Sequence, residues 1–140
     1  MSNSQECVLF KLNDELYGLD IYSVETIEKM LPITRVPYTE DFIKGVINLR
    51  GNVVPVMDLR KRFGLLEKEI TDETRIIIVK IEDITVGLIV DSSSEVIRFN
   101  DDEIEEAPFN KESDINYIKC IGKKNEKLIM IVDIYKILNI

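Results

Sequence analysis

The stretch Val8–Leu19, VLFKLNDELYGL, carries two short apolar runs on either side of Asn13-Asp14. Asn and Asp are turn residues, and the flanking runs are rich in strand formers, so the stretch reads as a β-hairpin. The same pattern returns at Ile76–Val90, IIIVKIEDITVGLIV. Lys11 aligns with Lys80, Asp14 with Asp83, Gly18 with Gly87 and Leu19 with Leu88, each pair 69 residues apart. A second correspondence runs at an offset of 75: FIKGV at Phe42–Val46 answers YIKCI at Tyr117–Ile121, and PVMDLRKRF at Pro55–Phe63 answers MIVDIYKIL at Met130–Leu138. There Asp58 falls on Asp133 and Lys61 on Lys136. The extra residues of the second copy fit in the acidic stretch Asn100–Asp114, NDDEIEEAPFNKESD.

Constant spacing across Lys, Asp and Gly is unlike chance similarity between Val/Ile-rich strands, and it reads as a tandem duplication. Strands are expected at Cys7–Leu12, Leu16–Ile21, Val46–Leu49, Val53–Asp58, Arg75–Glu82, Thr85–Asp91, Glu95–Phe99, Tyr117–Ile121 and Lys127–Val132. Short helices are expected over Ile21–Glu28, Glu40–Lys44, Leu59–Phe63 and Asp133–Leu138. Each copy is thus a hairpin, a connector, a second hairpin and a terminal helix. The fold class is mainly β, with two small barrels packed on each other and halves at 1–74 and 75–140. Closed barrels remove the exposed edges that short strands would otherwise present. Gly18 and Gly87 lie early in a second strand, where glycine marks a bulge, a corner or a close backbone approach. Pro55 cannot donate to a ladder, so it belongs at an edge or bulge. Asp58 and Asp133 precede LRKRF and IYKIL and read as helix N-caps.

Composition excludes several classes of function. The chain has 140 residues, 45% hydrophobic and 31% charged, with net charge −8 and no histidine. That length suits one ordinary domain. Without histidine there is no histidine phospho-acceptor and no Ser-His or Cys-His nucleophile pair, and the commonest metal ligand is missing. Catalytic residues, metal ligands and cofactor sites are therefore expected to be none, and the chain is read as not an enzyme. Strong acidity argues against nucleic acid as a partner. Arg60, Lys61 and Arg62 are the one tight basic cluster. Cys7 and Cys120 sit in apolar runs and read as reduced, buried side chains. No apolar stretch approaches the roughly 20 residues of a membrane span, and the opening MSNSQE lacks the form of a signal peptide. A cytoplasmic location without membrane insertion is expected.

One stretch asks for a functional reading: GVINLRGNVVPVMDL, Gly45–Leu59, where Arg50 interrupts two apolar runs. Gly51-Asn52 signals a hairpin turn, which puts Arg50 at a strand end near the barrel mouth. Such an arginine is either a surface residue paired with a carboxylate or an interface anchor. The longer segment RVPYTEDFIKGVINLRGNVVPVMDLRKRFG, Arg35–Gly64, resembles the signature of the CheW family, adaptors that join bacterial chemoreceptors to the CheA histidine kinase in two-component chemotaxis signalling. FKLNDELYGLDIYSVETI, VGLIVDSSSEV and EEAPF also resemble that family, and the likeness covers almost the whole chain.

The resemblance implies a single CheW-like domain over 1–140. It would consist of two packed, five-stranded SH3-like barrels with a few short helices, and a terminal segment can cross between them. It implies a scaffold without catalysis, recruited to receptor arrays at the inner face of the membrane. The chemoreceptor's cytoplasmic tip, a helical hairpin, would bind in a groove between the barrels. Arg50 matches the family's functional arginine, and Val24, Ile47, Asn48, Leu49, Val86, Gly87, Ile89 and Val90 are candidates to line that groove. The kinase's regulatory domain would meet Ile27 and Lys44, with Thr26 beside them, and Phe109 would supply a second kinase contact. Thr26 stands where the family often has glutamate. Two other readings of the chain stay open: a small-molecule-binding β-barrel, and a scaffold for a kinase outside chemotaxis.

Overall fold

The computed structural model describes residues 5–107 and 117–140, with Ser94 by its backbone alone, so Phe109 lies outside the described residues. The chain is mainly β and forms two compact units, consistent with two SH3-like domains. Tyr22–Ser93 makes a central unit, and Met1–Ile21 joins Ser94–Ile140 in a terminal unit. The central unit is a five-stranded sheet in the order β3 (Val24–Lys29), β6 (Arg75–Ile81), β7 (Ile84–Val90), β5 (Asn52–Asp58), β4 (Ile43–Leu49). The terminal unit is a six-stranded sheet in the order β8 (Ser92–Phe99), β1 (Gln5–Leu12), β2 (Glu15–Asp20), β11 (Lys127–Val132), β10 (Ile118–Lys124), β9 (Ile104–Glu106). Two short helices follow β5 and β11: α1 (Leu59–Arg62) and α2 (Ile134–Leu138).

The duplication is visible in the ladders. β7 runs parallel to β5 with Gly87 opposite Val56, and β2 runs parallel to β11 with Gly18 opposite Ile131. These positions are related by the 69- and 75-residue offsets. The bulge between Ile43 and Gly45 in β4 recurs between Ile118 and Cys120 in β10. Asp58 N–H donates to Phe42 O at 2.7 Å, and Asp133 N–H donates to Tyr117 O at 2.8 Å. Both aspartates cap their helices. Asp58 Oδ1 accepts from Arg60 N at 3.0 Å, and Asp133 Oδ1 accepts from Tyr135 N and Lys136 N at 3.1 and 3.4 Å.

The units do not divide at 74/75. The first hairpin, β1–β2, joins β10–β11, while its duplicate, β6–β7, joins β4–β5. The central unit is therefore continuous in sequence, and the chain start returns to complete the terminal one. Two expected helices are also corrected. Ile21–Ser23 is a single 3₁₀ turn, and Val24–Lys29 is a strand in which half-buried and exposed residues alternate. It pairs with β6, whose Ile76–Val79 run is wholly buried. In Glu40–Lys44 only Asp41 and Phe42 form a turn, and Ile43 and Lys44 already belong to β4.

Each unit has its own apolar cluster. Ile47, Val54, Val56, Ile76 and Ile78 form it in the central unit; Cys7, Leu9, Phe99, Ile129 and Ile131 form it in the terminal unit. Cys7 is fully buried, Cys120 is half-buried, and both are free thiols. Burial, reinforced by Asp20, pushes the Cys7 thiol up to about 12. Gly87 is needed for close packing: a Cβ there would lie 2.7 Å from Ile76 Cγ2 and 2.7 Å from Val56 Cγ1. Pro55 is exposed, and the parallel register with β7 begins one residue later, at Val56.

Candidate functional site

The β4–β5 hairpin closes with Leu49 opposite Asn52, so the two turn residues are Arg50 and Gly51, one position earlier than expected. Their φ angles are 50° and 86°, the positive values a tight hairpin of this kind requires. Asn48 Oδ1 steadies the turn by accepting the Gly51 N–H at 3.0 Å. The Arg50 side chain is 62% exposed and reaches back to β3, where Nη2 lies 3.1 Å from Glu28 Oε2. Arg50 and Leu49 line a concavity of about 520 Å³ with Glu25, Thr26, Lys80 and Asp83. Thr26 Oγ1 is buried and has no hydrogen-bond partner among the described residues. Glu25 is exposed, is the extra residue of a bulge between Val24 and Thr26, and lines the same concavity as Thr26.

A second concavity in the central unit, of about 450 Å³, is walled by Ile33, Ile70, Ile89 and Val90 and bordered by charges. At its base Arg60 Nη1 meets Asp91 Oδ2 at 2.7 Å, both side chains under a tenth exposed, and Arg60 Nε donates to Leu66 O at 2.8 Å. Lys44 Nζ stands 3.9 Å from Asp58 Oδ2 and 3.7 Å from Glu67 Oε1. Glu67 also meets Lys61 Nζ at 2.9 Å. Their hydrogen bond raises the Lys61 pKa and lowers that of Glu67, so both stay charged. Charged rims over apolar walls suit the docking of another protein. Among the described residues, no cluster of side chains has the make-up of a metal site.

Comparison with known proteins fixes the family. The profile of the CheW-like domain matches residues 6–140. The chain belongs to the CheW family. Chemotaxis protein CheW of Bacillus subtilis (strain 168) is 45% identical to it over 141 residues, covering 99% of this chain and 90% of that protein. Chemotaxis protein CheW of Klebsiella aerogenes is 37% identical over 136 residues, covering 96% and 82%. The crystal structure of the scaffolding protein TtCheW from Thermoanaerobacter tengcongensis superposes with a TM-score of 0.89 at 40% identity, over 100% of this chain and 94% of that one. CheW membership and this likeness support a chemotaxis scaffold or adaptor role. No helix among the described residues is long and apolar enough to cross a membrane.

Within the CheW fold, the expected site residues fall in the central unit, Phe109 apart. Arg50, Leu49 and Thr26 share the first concavity; Lys44, Ile89 and Val90 share the second. Asn48 is exposed beside the turn, Ile27 is 39% exposed on β3, and Val24 is half-buried at its start. Ile47, Val86 and Val90 are core residues, at 2%, 8% and 1% exposure, and Gly87 is buried against Ile76 and Val56. The sequence reading missed Glu28, Arg60, Glu67 and Asp91. Arg60 was legible only as one of a basic cluster; its burial beside Asp91, 31 residues away, has no local signal.

Proposed function

We propose that the chain is a non-catalytic adaptor that couples transmembrane chemoreceptors to the CheA histidine kinase. The observation that carries this is Arg50: an exposed arginine held at positive φ on the tip of the Asn48-Leu49-Arg50-Gly51 motif. Asn or Gly would fill that turn at lower conformational cost, so the fold alone gives no reason for arginine there. In this reading Arg50, Asn48 and Leu49 meet the receptor's helical hairpin with Val24, and Ile89, which lines the Lys44 concavity at the other end of β5, extends the contact there. The buried Ile47, Val86, Gly87 and Val90 shape that surface from behind. Ile27 and Lys44, with Thr26, meet the kinase's regulatory domain, and Phe109 supplies a second kinase contact. The adaptor's output is geometric. It transmits a receptor change only insofar as its contacts differ in strength between the kinase-on and kinase-off arrangements. Contacts of this kind give micromolar affinity, about −8 kcal/mol, which an array multiplies by multivalency.

Titration calorimetry with the CheA regulatory domain and with a receptor cytoplasmic tip tests the reading. Both should bind. Lys44→Glu should weaken the kinase titration and spare the receptor one; Arg50→Glu should do the reverse with an unchanged circular dichroism spectrum. An intact chain that binds neither partner rejects the proposal.

A further inference from the structure

The segment between α1 and β6 forms one wall of the Lys44 concavity, contributing Glu67, Lys68, Glu69, Ile70 and Thr74. It is tied down from below. Leu65 N–H donates to Arg60 O at 2.8 Å, and Leu66 O accepts from Arg60 Nε at 2.8 Å. Arg60 is itself locked by Asp91, which also lies 3.7 Å from Lys68 Nζ. This buried anchor sets where the next side chain falls, and Glu67 falls 3.7 Å from Lys44 Nζ and 2.9 Å from Lys61 Nζ.

The duplicated unit supplies an internal comparison. Lys44 sits at the β4 bulge, and its counterpart at the β10 bulge is Lys119. Lys119 is exposed and makes no ion pair among the described residues. Among the described residues the cation at this bulge is screened by a carboxylate in the central unit and not in the terminal one, so the screening of Lys44 by Glu67 is a feature of the central unit. Glu67 is 62% exposed, and its shorter contact is with Lys61. It can swing away from Lys44 while keeping that partner.

We propose that Glu67 is a built-in competitor at Lys44: it occupies the cation in the free chain and yields when a carboxylate of the docking partner arrives. The inference rests on the reading of Lys44 as a kinase contact. Partners that present a carboxylate to Lys44 recover what Glu67 gives up, while neutral or apolar ones do not, so Glu67 sharpens selectivity at the expense of affinity. Exposed ion pairs are weak, so the effect on affinity is about two- to fivefold.

Calorimetric titration of the full chain with the CheA regulatory domain, at low and high salt, tests this. Glu67→Gln should tighten binding about two- to fivefold at low salt, with the gain fading at high salt. In a Lys44→Met background the same substitution should do nothing. Thermal melts of each variant check that the fold is unchanged. If Lys44→Met weakens binding but Glu67→Gln does not tighten it, the competitor idea fails and the docking reading survives. A gain that persists without Lys44 also overturns the competitor idea. If Lys44→Met is neutral, the Lys44 contact and the inference fall together.

Discussion

Arg50 holds a left-handed conformation that crowds its Cβ against the following carbonyl, at a cost of about 1–2 kcal/mol for a residue other than Gly, Asn or Asp. Its ion pair with Glu28 is partly exposed, 62% on the arginine side and 21% on the glutamate side, and returns about 1 kcal/mol. Arg50→Asn should therefore leave the chain at least as stable, with a urea midpoint equal to or above the parent's and an unchanged m-value. The same variant should bind a receptor tip at least several-fold more weakly, since the guanidinium is an anchor only while it is there. A clear fall in midpoint would instead make Arg50 a structural residue. The hairpin around this residue was legible in the sequence. The turn was placed one residue late because Gly51-Asn52 looks like a better turn pair than Arg50-Gly51. That Arg50 and Thr26, expected at different partners, line one concavity was not legible, because β3 and the β4–β5 turn approach each other only in the folded sheet. Nor could the pairing with Glu28 be chosen from a chain with 26 acidic residues.

At the scale of elements, polar landmarks carried more information than apolar ones. Asp58 and Asp133 were readable as N-caps because a cap has a fixed chemistry at a fixed place. Most of the expected helix Ile21–Glu28 is strand because a short run such as VETIE fits either period, and pairing with the buried β6 decides the matter. Gly18 and Gly87 were recognised as equivalent, but their packing differs. A Cβ on Gly87 would press to 2.7 Å on both Ile76 and Val56, whereas on Gly18 its nearest contacts would be Cys7 Cβ at 3.2 Å and Ile129 Cγ2 at 3.3 Å. Gly87→Ala should therefore cost about 1–3 kcal/mol through overpacking. Gly18→Ala should cost visibly less, since its neighbours need shift only by tenths of an ångström. Urea denaturation of the two variants side by side checks this, and equal losses would show that the sheet around Gly87 relaxes freely.

Across the whole molecule, the duplication was legible, but the repeat alone did not show its partnering; only the family resemblance allowed a terminal segment to cross over. Sequence similarity says which segments are copies; it does not say which copy each hairpin joins. The parallel pairs β5–β7 and β2–β11 settle that, and they make the boundary fall near 22 and 93 rather than at 74. The central unit thereby gains an uninterrupted chain, a complete five-stranded sheet, its own apolar cluster and its own buried ion pair, Arg60–Asp91. It also carries every proposed contact residue except Phe109. A polypeptide of Tyr22–Ser93 alone should fold: a β-type circular dichroism spectrum, a dispersed amide spectrum and a cooperative urea transition are expected. Its m-value should be about half that of the intact chain, because m scales with the surface exposed on unfolding. Stability should be modest, since a domain this small buries only about 60% of the surface its unfolded chain exposes. The complementary segments, Met1–Ile21 and Ser94–Ile140, need a covalent link or each other, because β2 and β11 come from opposite ends of the chain. Joining residue 140 to residue 5 through a flexible linker should rescue that unit as a permuted domain. If Tyr22–Ser93 stays unfolded at low temperature in the absence of denaturant, continuity of chain and completeness of sheet are not enough for autonomy, and the two units fold only together.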